Sequence, residues 1–243
     1  MSPEYPASIQ GFWGAPTSTV DWCEANYQHS FYICEFFNTL SGFAMIIAGG
    51  MGLALYRRVL SARFLMVYAA LILVGIGSVA FHATLKLELQ MLDELPMLYL
   101  ALLMVHILVE NQPKPRFGRW FPVLLVTHAA LLTYLCAFTR GKLQFWIFQL
   151  SFGSLELFAL VQTYRIYKGS NHRGLRKLYR LGMSAYLLAV TLWFIDIRFC
   201  DALSTLPNIG LFNPQLHAVW HVLVSCGFYL LLLVIRWPRA AVP

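Results

Sequence analysis

Charge is scarce in this sequence. Only 12% of its 243 residues are Asp, Glu, Lys or Arg, about half the roughly 25% usual in soluble domains. Hydrophobic residues make up 59%, and the mean hydropathy is +0.62. A water-soluble fold would have too few polar residues to cover its exterior. Sustained polar–apolar alternation is also missing, which excludes a membrane barrel. There is no repeat, low-complexity tract or long linker, and no loop large enough for a separate soluble domain. The stretch Met1–Pro16 lacks the charged start and apolar core of a cleavable signal peptide. The first apolar span is therefore expected to act as its own insertion signal.

What the chain does have is seven apolar stretches: Phe31–Tyr56, Phe64–Thr84, Gln90–Val109, Trp120–Phe138, Leu143–Tyr164, Leu181–Phe199 and His217–Ile235. Each approaches the ~20 residues a helix needs to cross a bilayer. The expected fold is an all-α, seven-transmembrane helical bundle forming one domain over residues 1–243. Fourteen of the eighteen Lys and Arg fall on one side of it. Arg57, Arg58 and Arg63 follow span one, and Lys114, Arg116 and Arg119 follow span three. Arg165, Lys168, Arg173, Arg176, Lys177 and Arg180 lie between spans five and six, and Arg236 and Arg239 follow span seven. Lys86, Arg140, Lys142 and Arg198 occupy the other side. By the positive-inside rule the N-terminus is luminal or extracellular and the C-terminus cytosolic. The net charge of +7 thus reflects topology and lipid headgroups rather than nucleic acid.

Of five cysteines, Cys34, Cys136 and Cys226 fall inside or at the edge of spans. Cys23 and Cys200 both fall on the expected luminal side, where oxidation is permitted. They are either a disulfide or two unrelated thiols.

Ionisable groups within membrane spans are costly and mark functional sites by default. Here they cluster. His217 and His221 lie four apart at the start of span seven, so both rings share one helical face. Ser78 and His82, again four apart, close span two, and Asp93 opens span three. All five groups are expected at one membrane depth. Three histidines with a nearby carboxylate suit a catalytic zinc site that keeps its fourth position open. Asp93 could take a proton from water and pass it to a leaving group, while Ser78 could donate to a developing oxyanion. Any one of these residues alone reads equally well as a polar contact between helices. A second cluster, Asp21, Trp22, Glu24 and Asn26 with Glu35, is rich in hard oxygen ligands and could hold Ca²⁺. It also reads as a solvated turn with Asp21 capping a helix, although Glu35 sits inside the apolar run. Asp196 near the end of span six could support the zinc ligands from behind, and Glu156 is a further charge within span five.

These motifs resemble the alkaline ceramidase family, seven-span hydrolases related to the adiponectin receptors. The resemblance is carried by Val20–Glu24 with Asn26, Glu35–Thr39, Gly77-Ser78 through Phe81–Leu85, Gln90–Leu95, Phe199-Cys200 and His217–His221, in that order. It implies zinc on His82, His217 and His221, water activation by Asp93 and Ser78, and calcium on Asp21, Trp22, Glu24, Asn26 and Glu35. It further implies cleavage of a ceramide amide to a sphingoid base and a free fatty acid, in the endoplasmic reticulum or Golgi membrane. One departure is Phe194, where some members have a polar residue. That puts the surroundings of the site and substrate choice in question. A receptor would need no such His and Asp cluster, and a proton or metal transporter would show polar groups along the whole depth or a repeat between halves.

Overall fold

No water is available inside a bilayer, so every backbone N–H and C=O of a spanning segment must be satisfied by protein. The apolar stretches are accordingly helical. The computed structural model describes residues 11–110 and 116–240, with side chains through residue 237. Residues 1–10, Lys114 and the side chain of Arg239 lie outside the described residues. The helices are α1 (Phe36–Tyr56), α2 (Ala62–Thr84), α3 (Leu87–Val109), α4 (Trp120–Phe138), α5 (Gly141–Lys168), α6 (Arg173–Arg198), the short α7 (Cys200–Thr205) and α8 (Leu216–Ala240). No strand occurs among the described residues. Seven helices, all but α7, are long and apolar enough to cross a membrane, so the expected all-α seven-span architecture is borne out.

Two helix limits differ from the hydropathy boundaries for identifiable reasons. α1 begins at Phe36, not Phe31, because the backbone N–H groups of Cys34 and Glu35 donate to Ala83 O and His82 O, each at 2.9 Å. Those carbonyls belong to the last turn of α2, which has no helical donors for them. α6 begins at Arg173, not Leu181, so Arg173, Arg176, Lys177 and Arg180 stand on its first turns rather than in a loop. Basic side chains can lay their stems along an apolar surface and carry the charge to water, so the helix continues past its apolar stretch.

α2 is the central helix. Val67, Tyr68, Leu71 and Val74 pack against Leu100, Met104 and Ile107 of α3, Met45 of α1 and Leu232 of α8. α6 packs on α8, α3 on α5, and α4 lies outermost against α3 and α5. The outward faces carry exposed apolar side chains such as Ile47, Leu124 and Leu150, as a lipid-facing surface requires.

The contact between α2 and α3 sets the position of the chemistry. Pro96 lies inside α3 and has no N–H to give Leu92 O four residues earlier. Gly77 of α2 packs on that freed carbonyl: a Cβ added there would stand 2.1 Å from Leu92 O and 2.9 Å from Asp93 N. Ser78 and Asp93 are the next residues along each helix. Gly77→Ala is therefore expected to push the helices apart and destabilise the protein by about 1–3 kcal/mol. The drop in melting temperature should come with reduced activity, and a parental melting temperature would show that the contact is not tight.

Candidate active site

His82 occupies the last turn of α2, and His217 and His221 the first turns of α8. Each can offer one ring nitrogen so that the three lie within 4.8 Å of one another, and all three residues are buried. Their neighbours fix the ring protons. His82 Nδ1 bonds Glu35 Oε2; with Glu35 ionised the carboxylate only accepts, so Nδ1 then carries the proton and Nε2 keeps its lone pair. Ser41 Oγ donates to Asn38 O at 2.9 Å and so must accept, at 2.7 Å, from His221 Nδ1. That again leaves Nε2 unprotonated. His217 stacks on Trp22 with ring centres 3.7 Å apart, and its Nδ1 is buried without a partner. Buried imidazoles with unprotonated nitrogens, one of them unpartnered, fit a cation with an open fourth position.

Ser78 Oγ lies 3.3 Å from His221 Nε2. Asp93 and His217 both line a cavity of about 280 Å³. Below them its wall is mainly apolar, with Met97, Leu100, Phe152 and Val224. The structure thus brings His82, His217, His221 and Ser78 into one cluster and places Asp93 on the cavity wall that His217 also faces.

Residues 14–35 are bonded over this end of the bundle. Thr17 N and Ser18 N donate to Leu85 O at 3.0 and 3.1 Å. Within the segment, Asn26 Nδ2 is 3.4 Å from each carboxylate oxygen of Asp21, and Asn26 Oδ1 is buried without a donor. Trp22 N donates to Glu35 Oε1 at 3.1 Å. Glu24 accepts from Phe37 N at 2.7 Å and Asn38 N at 2.9 Å, so it meets the first turn of α1 in the capping role considered for Asp21. Burial pushes the Glu24 carboxyl above its ordinary range, and those two N–H groups oppose the shift. Among the described residues no Lys or Arg forms a salt bridge with Glu24 or Glu35. Buried carboxylates beside an amide oxygen that lacks a donor suit a hard dication.

Glu35 does more than its motif announces. One of its oxygens receives the Trp22 N–H and the other meets His82, so a single carboxylate joins the N-terminal segment to the histidine centre. Cys23 and Cys200 form a disulfide with Cα atoms 5.2 Å apart. Next to it Asp196 accepts from Cys23 N at 3.2 Å and from the backbone N–H of His217. Asp196 thus supports His217 through its backbone rather than its ring. Phe194 is 57% exposed on the outside of α6, while its neighbour Trp193 lines the cavity. The departure at Phe194 therefore does not reach the site.

Two polar groupings escaped the sequence analysis. Gln90, Glu94 and Gln144 form a buried network with Thr19. Gln90 Nε2 donates to Glu94 Oε1 at 2.8 Å, Gln144 Nε2 donates to Glu94 Oε2, and Thr19 Oγ1 donates to Gln144 Oε1 at 2.6 Å. Three polar residues near the starts of two apolar spans were the available signal. Glu156 pairs with Tyr186 deeper in the bundle.

Fold and site together define a class: an all-helical, multi-pass membrane protein with three histidines fit for a metal ion at one end of an apolar cavity. The chain belongs to the alkaline ceramidase family, as the motifs indicated. The ceramidase family model matches residues 14–242. Alkaline ceramidase 3 of Mus musculus is 36% identical over 240 residues, covering 95% of this chain and 87% of the mouse protein. An alkaline ceramidase of Arabidopsis thaliana is 32% identical, covering 91% and 84%. One from Drosophila melanogaster is 30% identical, covering 91% and 77%.

Proposed function

We propose that this protein is a zinc- and calcium-dependent ceramide amidohydrolase, a single seven-span unit of the endoplasmic reticulum or Golgi membrane with its site in the luminal half. The observation that carries this is the meeting of His82, His217 and His221 at the head of an apolar cavity whose wall includes Asp93, in a chain of this family. Zinc held by the three histidines would acidify a water molecule and polarise the amide carbonyl. Asp93 takes the proton of that water and delivers it to the departing nitrogen. Ser78 donates to the carbonyl oxygen as it gains charge. The apolar cavity accepts hydrocarbon. α5 and α6, which flank it, touch little, so a lipid can arrive from the bilayer.

Asp21, the Trp22 backbone carbonyl, Glu24, Asn26 and Glu35 would hold calcium, whose charge would order the N-terminal segment, while Glu35 holds the ring of His82. The disulfide ties the same segment to the end of α6. A proton or metal pathway would need polar groups along its whole length, whereas the cavity wall below the histidines is mainly apolar.

The test is purified protein with a panel of ceramides. Equal release of fatty acid and sphingoid base is expected, with about one bound zinc. Calcium should raise the melting temperature, a stabilisation of about 2.7 kcal/mol at a hundredfold excess over its dissociation constant. Ceramide that is bound but recovered intact would instead identify a receptor.

A further inference from the structure

Nearly all the polar groups described above lie at one end of the cavity; one pair does not. Glu156 of α5 and Tyr186 of α6 both line the cavity, and the Tyr186 hydroxyl donates to Glu156 Oε2 at 2.6 Å. Two residues mark the level of the histidines: Gln144, bonded to the neighbour of Asp93, and Asp196, bonded to the backbone of His217. Glu156 lies twelve residues beyond Gln144 on α5, and Tyr186 ten residues before Asp196 on α6. At 1.5 Å per residue these separations are about 18 and 15 Å along the bundle. The pair therefore sits at the inner end of the cavity, whose wall there includes Met45, Leu160 and Phe228.

A cavity built for plain hydrocarbon has no use for a carboxyl at its inner end, because a polar group facing methylenes is left without compensation. Among the described residues, Tyr186 is the one hydrogen-bond partner of the Glu156 side chain. Its phenolic proton is committed to Oε2, so what the pair still offers a ligand is Glu156 Oε1 and the lone pairs of the phenolic oxygen. A hydroxyl can donate to either; a methylene can donate to neither.

We propose that Glu156 and Tyr186 form a subsite for a hydroxyl carried on the hydrocarbon chain of the lipid amide, selecting hydroxylated chains over plain ones. The inference rests on the ceramidase reading above. At roughly 1.2 Å per bond of an extended chain, the favoured hydroxyl stands about a dozen bonds from the amide.

The test compares two ceramides with octadecanoyl chains, one plain and one with a hydroxyl near about the twelfth carbon, on the parent, Tyr186→Phe and Glu156→Leu. The parent is expected to favour the hydroxylated substrate by about tenfold in kcat/KM, mainly through KM, and both variants should bring that ratio to about one. Glu156→Gln keeps an acceptor and should retain part of the preference. A pair that only bridges α5 and α6 would lower stability and affect both substrates alike. The matching free fatty acids, plain and hydroxylated, give a second readout through their shifts of the parent melting temperature. A ratio near one in the parent, or one unchanged in both variants, overturns the subsite. Absence of hydrolysis of either ceramide overturns the ceramidase reading, and the melting-temperature comparison then decides the subsite alone.

Discussion

His82→Ala, His217→Ala and His221→Ala are each expected to lose bound metal and ceramide hydrolysis together, by more than about a hundredfold in turnover. Changes merely next to metal ligands cost 10–100-fold, and a ligand itself should cost more. Each variant removes one of three buried nitrogens that share a single space, and no spare imidazole stands close by to replace it. The loss is local. Glu35 still accepts from Trp22 in the His82 variant, and Ser41 still donates to Asn38 in the His221 variant. The apo parent and the variants should therefore melt at similar temperatures, while the zinc-dependent rise in melting temperature disappears from the variants. Metal analysis and fatty-acid release on the same preparations check this. A variant that keeps both its metal and its turnover removes that histidine from the centre.

Hydropathy revealed the spans because the bilayer leaves a chain so few options, but it could not say where helices stop. Whether Phe31 is helical depends on the carbonyls of His82 and Ala83, which capture the N–H groups of Glu35 and Cys34. Those partners are about fifty residues away and carry no local signature. Arg173 and its basic neighbours read as a loop because they are charged, yet charge at the membrane surface does not break a helix.

The histidines were legible for a related reason: four-residue spacing and position at span ends are local facts. The Glu35–His82 contact was not, since an acidic residue early in an apolar run serves a calcium loop and a histidine equally well. Its second role depends on α1 starting where α2 ends. Asp196 was expected to support the zinc ligands, and the groups it holds are the backbone N–H of Cys23 and of His217, a detail that residue type cannot express. Gln90, Glu94 and Gln144 are unremarkable singly and become a unit only when α3 and α5 are side by side.

Asp93→Asn is expected to keep metal and stability and to lose about 10²–10⁴-fold in turnover, the usual contribution of a positioned acid–base group. The amide has the shape of the carboxylate and can still accept a hydrogen bond, but it cannot take up a proton at neutral pH. Its surroundings argue that the change is silent structurally. The backbone at Asp93 is held by the close approach of Gly77, and the side chain is partly accessible on the cavity wall. Glu94 beside it is engaged by Gln90 and Gln144, and Asp196 by two backbone donors, so neither is free to take its place. The contrast with the histidine variants is the useful part: metal content parental, ceramide binding parental, rate lost. If Asp93→Asn turns over like the parent, proton transfer belongs to another group. If it loses metal as well, Asp93 is a ligand rather than a base.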